Sequence, residues 1–138
     1  MENKKIIWGG LAGGLTFFLL GWLIYGVLMK NYFQSIMAAG IYKEIPDFPF
    51  LILGNVLMGF MYAVVIGCWA KATSPSDGAK KGFLFAILLS AGYDFIMYST
   101  SNIMTSMGGM FCDIFVTVIM GTIVGAVVTM VMSSSQKA

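Results

Sequence analysis

The chain is expected to be all-α, an integral membrane four-helix bundle built from two antiparallel helix hairpins. Three observations point there. Mean hydropathy is +0.88, and charged residues make up only 10% of the 138. Four apolar stretches, about 6–29, 50–70, 82–104 and 110–132, are each long enough to cross a hydrocarbon core at roughly 1.5 Å rise per residue. Residues 1–138 then form one transmembrane domain, with almost nothing left for a soluble one.

The first stretch follows Lys4 and Lys5, as the core of a secretory signal would. The run from Ile6 to Met29 is longer than the usual h-region of about 7–15 residues, and no small-x-small site directly follows it, so it is expected to be a retained helix. Gly10 and Gly14 give it a small-residue stripe that lets another backbone approach.

Between Lys30 and Pro49 the apolar residues Tyr32, Phe33, Ile36, Met37 and Ile41 recur at helical spacing among polar ones. A short helix lying in the outer interface is expected there, ended by Gly40. Asp47 is placed to cap the second span, with Pro49 in its first turn, and Gly59, Ala63 and Gly67 continue the small-residue pattern. Lys71 to Lys81 reads as a turn, through Ser74, Pro75, Ser76, Asp77 and Gly78.

The third connection, centred on Ser106, Met107, Gly108 and Gly109, is short enough to force an antiparallel hairpin. The last span carries Gly121 and Gly125, and the tail from Ser133 onward is polar.

Lysine placement sets the expected orientation. Lys4, Lys5, Lys71, Lys80, Lys81 and Lys137 share one side, against Lys30 and Lys43 on the other, which favours both termini in the cytoplasm of a bacterial inner membrane. The net charge of +2 is then a topology signal, not a nucleic-acid one. Cys68 and Cys112 fall towards opposite ends of their spans, which disfavours a disulfide on reach.

Asp94 is the strongest functional lead: between Gly82 and Met104 there is no other charged residue. Ionisable groups at that depth are costly and usually face protein or water. No lysine is placed to neutralise it, so it is expected to be protonated or intermittently charged unless water or a cation reaches it. Ser90, Asp94, Tyr98, Ser101 or Asn102, and Thr105 share one helix side, facing Asp113, Thr117, Gly121, Gly125 and Thr129 on the last span.

A tight hairpin would set Asn102 level with Asp113, with Asp94 about 12 Å deeper. Asn55 would join the outer pair, giving an ion- or substrate-binding set of Asp94, Asp113, Asn55, Asn102 and Tyr98. The bland alternative is that Asp94 hydrogen-bonds a neighbouring helix as structural glue and Asp113 complements a helix dipole.

Met104, Met107 and Met110, with Cys112 next to them, offer soft ligands that suit Cu(I). Twelve methionines in so apolar a chain also make ordinary packing a sufficient reason for the cluster. An enzyme is not expected: there is no histidine, no Ser or Cys with an evident base, and no phosphate-binding glycine loop. No cofactor is expected, and the partners are the lipid bilayer and, in a homo-oligomer, further copies of the chain.

Leu20-Gly21-Trp22-Leu23-Ile24-Tyr25 followed by Tyr32 and Phe33, then Asp113 and Met120-Gly121-x-x-x-Gly125, resembles the bacterial membrane proteins grouped as domain of unknown function 1761. That family's adjacent Trp-Tyr pair is here separated by Leu23 and Ile24. The resemblance implies a four-helix inner-membrane protein and supplies no catalytic residues. A small multidrug transporter is another four-helix comparison, but the essential glutamate of that family's first helix has no counterpart between Ile6 and Met29. The expected role is cation- or proton-linked transport of a small solute around Asp94. The competing class is a non-transporting scaffold or assembly subunit.

Overall fold

A computed structural model describes residues 2–135. They form helices α1 (Glu2–Leu23), α2 (Lys30–Ile36), α3 (Phe48–Tyr62), α4 (Pro75–Thr100) and α5 (Met107–Ser134). Helix α1 runs on through a π-helical turn, Ile24–Leu28, and α3 through another, Ala63–Trp69. There is no strand among the described residues, only an isolated bridge between Met37 and Met104. Four helices, counted with their π turns, are long and apolar enough to cross a membrane. Lys137 and the end of the polar tail lie outside the described residues.

Several element ends differ from those expected. Helix α4 begins at Pro75 rather than near Gly82, because the Ser74 hydroxyl accepts from Asp77 N–H at 3.2 Å while Pro75 fills the first turn. Asp77 accepts from Lys81 one turn later, at 2.7 Å. The connection 71–81 is thus mostly first-turn helix. Helix α2 is the short helix expected in this connection; it ends at Ile36, before Gly40, and packs Phe33 and Ile36 into the core. Asp47 precedes α3 as expected, but caps it only through its carbonyl, which accepts from Leu51 N–H at 2.9 Å; its carboxylate makes no cap bond.

The third connection is also displaced. Helix α4 stops at Thr100, and Ser101 is extended. Gly108 and Gly109 lie inside α5, which is capped by Ser106 accepting from Gly109 N–H at 3.0 Å. The intervening chain is held by the end of α2 and the residues just after it: Ala38 N–H donates to Ile103 C=O at 2.8 Å and Thr105 N–H to Ile36 C=O at 2.7 Å. A helix continuing to Met104 would forgo both bonds.

Helix α5 is central. Half of its apolar window is buried (50%), against 17–22% for the other three long helices. Helix α1 packs on α3 and α5, whereas α4 packs chiefly on α5. The small-residue stripes lie at these contacts. A Cβ on Gly14 would stand 2.8 Å from the Cα of Val56, and one on Gly82 would stand 2.5 Å from the Gly121 carbonyl oxygen. Tyr62 and Phe17, ring centroids 5.0 Å apart, fill the space between the close approaches.

Candidate functional site

Helix α4 buries Gly78, Gly82, Ala86, Ser90 and Asp94, one residue per four positions. Such a stripe winds slowly around a helix, so its members can all meet one neighbouring helix. Contacts fix the pairing with α5: Gly78 lies against Thr129 and Gly125, Gly82 against Gly125 and Gly121, and Ala86 against Gly121. Continued in steps of four along antiparallel helices, this register sets Ser90 opposite Thr117 and Asp94 opposite Asp113.

The register makes the two carboxyls neighbours across the α4–α5 contact. Two neighbouring carboxylates repel, which favours a proton on one of them. Asp94 is 3% exposed and its Oδ2 is buried without a hydrogen-bond partner. Among the described residues the only ion pair is Lys81–Asp77, and no ammonium group compensates Asp94.

This corrects the expected geometry, in which Asp94 sat about 12 Å below the level of Asp113. Asp94 precedes the last residue of α4, Thr100, by six positions, and Asp113 follows the first residue of α5, Met107, by six. At about 1.5 Å per residue both lie roughly 9 Å inside their helix ends.

A third residue completes the site. Tyr25, in the π turn after α1, donates its hydroxyl proton to Asp113 Oδ1 at 2.6 Å, and its oxygen stands 3.3 Å from Thr117 Oγ1. With the phenolic proton committed to Asp113, Thr117 is the group able to donate to Tyr25. Thr117, Tyr25 and Asp113 therefore form one chain of exchangeable protons, with Asp94 across the helix contact from Asp113. In the sequence Tyr25 is one aromatic near the end of the first span, a position common for membrane-interface aromatics. The available signal was its proximity, five residues before Lys30, to the depth of Asp113.

The other expected members are not drawn into that chain. Asn102 is exposed in the connection after α4. Tyr98 packs against a cluster that includes Met104 and Met110. Asn55 donates to its own helix at the Leu51 carbonyl, 2.8 Å away. Met104 and Met110 are buried, but Met107 points outward at 58% exposure and Cys112 packs against a different cluster. These four sulfur side chains thus have divergent surroundings.

Beside the acids lies a cavity of about 850 Å³ between α1 and α3, roofed by the 37–47 connection. Tyr25 forms part of its wall, and Asn55 its lip. Tyr42, in the roof, has its phenol pushed above the usual value, first by burial and then by the negative field of Asp113, so it stays a neutral hydroxyl. A smaller cavity of about 390 Å³ lies between Lys5, Lys71 and Thr129, remote from the acids.

No protein-family model, curated protein or solved structure matches the chain.

Proposed function

We propose that this is a multi-pass membrane protein that moves a small solute together with a proton or cation, and that Asp94 and Asp113 are the titrating pair. The observation that carries the reading is the buried, partnerless Oδ2 of Asp94 beside a second carboxyl. A pair sharing one proton loads and releases charge over a small displacement, and the Tyr25–Thr117 hydroxyls give that proton a route towards the cavity.

In this reading two helix hairpins make the unit, both termini face the cytoplasm of a bacterial inner membrane, and copies associate through the outward faces. The reading stands on the site and not on the family resemblance of the sequence.

The test is proton movement into liposomes reconstituted with the full chain, followed with an entrapped pH dye under an imposed pH gradient. Wild-type protein should accelerate it, and Asp94→Asn should return it to the rate of empty liposomes while keeping its helix content. Full flux in a folded Asp94→Asn protein would overturn the proposal.

A scaffold role is the second reading, and one observation favours it. Asp94 continues the stripe of Gly78, Gly82 and Ala86 by which α4 packs on α5, so the same acid serves a helix contact. That role requires no flux from the wild-type protein.

A further inference from the structure

We propose that the cavity between α1 and α3 binds an amphiphile with an anionic head and an apolar chain, its head at Lys30 and Lys43. That this amphiphile is also the solute served by the acid pair rests on the transport reading above.

The size fits a small-molecule site, since such cavities commonly enclose about 300–1,000 Å³ and this one has about 850 Å³. Its two ends differ chemically. The deep end is apolar, formed by Phe17, Gly21 and Met120. The outer end carries Lys30 and Lys43 against a single acid, Glu44, which leaves one cation in excess. Neither lysine belongs to an ion pair among the described residues. From Phe17 to Lys30 the chain climbs thirteen residues, roughly 20 Å, so a ligand must be long to touch both ends.

The lining includes Trp22 and Phe48, both more than half exposed on apolar helices, so the cavity has an opening on the outer surface of those helices. In a membrane that opening faces hydrocarbon, so an amphiphile can enter sideways, chain first, without leaving the bilayer. An organic cation is disfavoured: Asp94 and Asp113 do not line the cavity, and only Glu44 would meet its charge. Tyr25 touches both compartments, as cavity wall and as donor to Asp113. A monoanion accompanied by one proton is electrically neutral, which lowers the cost of its passage through the membrane core.

The experiment uses the full chain in phosphatidylcholine nanodiscs and a brominated dodecanoate, which quenches tryptophan on contact. Saturable quenching of Trp22 is expected, identified by its loss in Trp22→Phe. The double variant Lys30→Gln/Lys43→Gln, at exposed positions, should weaken binding tenfold or more. Gly21→Leu should also weaken it, because a Cβ there meets only Met120 Cε, at 3.8 Å, and the longer side chain takes up space at the deep end of the cavity.

Exchanging the disc lipid for phosphatidylglycerol separates two supporting outcomes: competition assigns the site to an anionic lipid headgroup, and its absence to a free amphiphilic acid. Quenching unchanged by the lysine substitutions, or stronger with brominated dodecyltrimethylammonium, overturns the proposal. Lysine-dependent binding alongside full flux in Asp94→Asn would sink the transport reading alone. Asp94-dependent flux without lysine-dependent binding would sink this proposal alone.

Discussion

Asp94 and Asp113 face each other across α4 and α5 at equal depth from the turn that joins the two helices. Crosslinking tests that register. In a background with Cys68 and Cys112 replaced by serine, Asp94→Cys with Asp113→Cys should form an intramolecular disulfide under mild oxidation. Asn102→Cys with Asp113→Cys should not. Efficient coupling of the second pair, read by mobility after proteolysis between α4 and α5, would restore the register in which those two residues are level.

A proton shared by the pair should be visible directly. Infrared difference spectra are expected to contain a protonated carboxyl band at neutral pH that disappears in Asp94→Asn/Asp113→Asn. An unchanged spectrum in the double variant would mean that the two acids hold no proton between them.

The Tyr25–Asp113 bond ties the first membrane helix to the last. Removing it in Tyr25→Phe should cost about 1 kcal/mol if Asp113 is neutral, and about 2–3 kcal/mol if it is ionised, since bonds to charged groups are stronger. Thermal unfolding in detergent reads the difference. No loss in Tyr25→Phe, with a clear loss in Thr117→Ala, would assign the linkage to Thr117 instead.

Glycines on α4 should divide sharply by face. Gly82→Leu has nowhere to go, with the Gly121 carbonyl oxygen 2.5 Å and the Gly125 Cα 3.0 Å from a Cβ, so α4 should separate from α5. Overpacking alone typically costs about 1–3 kcal/mol, and a backbone obstruction sets the upper end. Gly92→Ala meets nothing within 4 Å and should be neutral or stabilising by up to about 1 kcal/mol, as helix propensity favours alanine. Equal melting temperatures for the two variants would contradict the packing.

Methionines near the turn should behave by burial. Met104→Ala and Met110→Ala each remove a buried side chain and should cost about 2 kcal/mol or more. Met107→Ala, at an exposed position, should stay within about 0.5 kcal/mol. A Cu(I) titration of the triple variant addresses the metal expectation separately: binding lost with all three would mean that the sulfurs converge despite their different surroundings.

What the sequence by itself determined was the number of long apolar helices and the faces they present. Step-of-four spacing marked Ser90 and Asp94 on α4, and Thr117, Gly121 and Gly125 on α5, because side-chain direction follows from helical pitch alone. The tertiary structure decided the register and the third partner. Residues Ser101 to Ser106 are polar enough to extend α4 or to leave it, and the bonds that draw them away come from Ile36 and Ala38, more than 60 positions earlier in the chain. Tyr25 likewise reads as an interfacial aromatic until α1 packs on α5 and brings its hydroxyl to Asp113. Both decisions depend on contacts between distant segments, which local spacing does not encode.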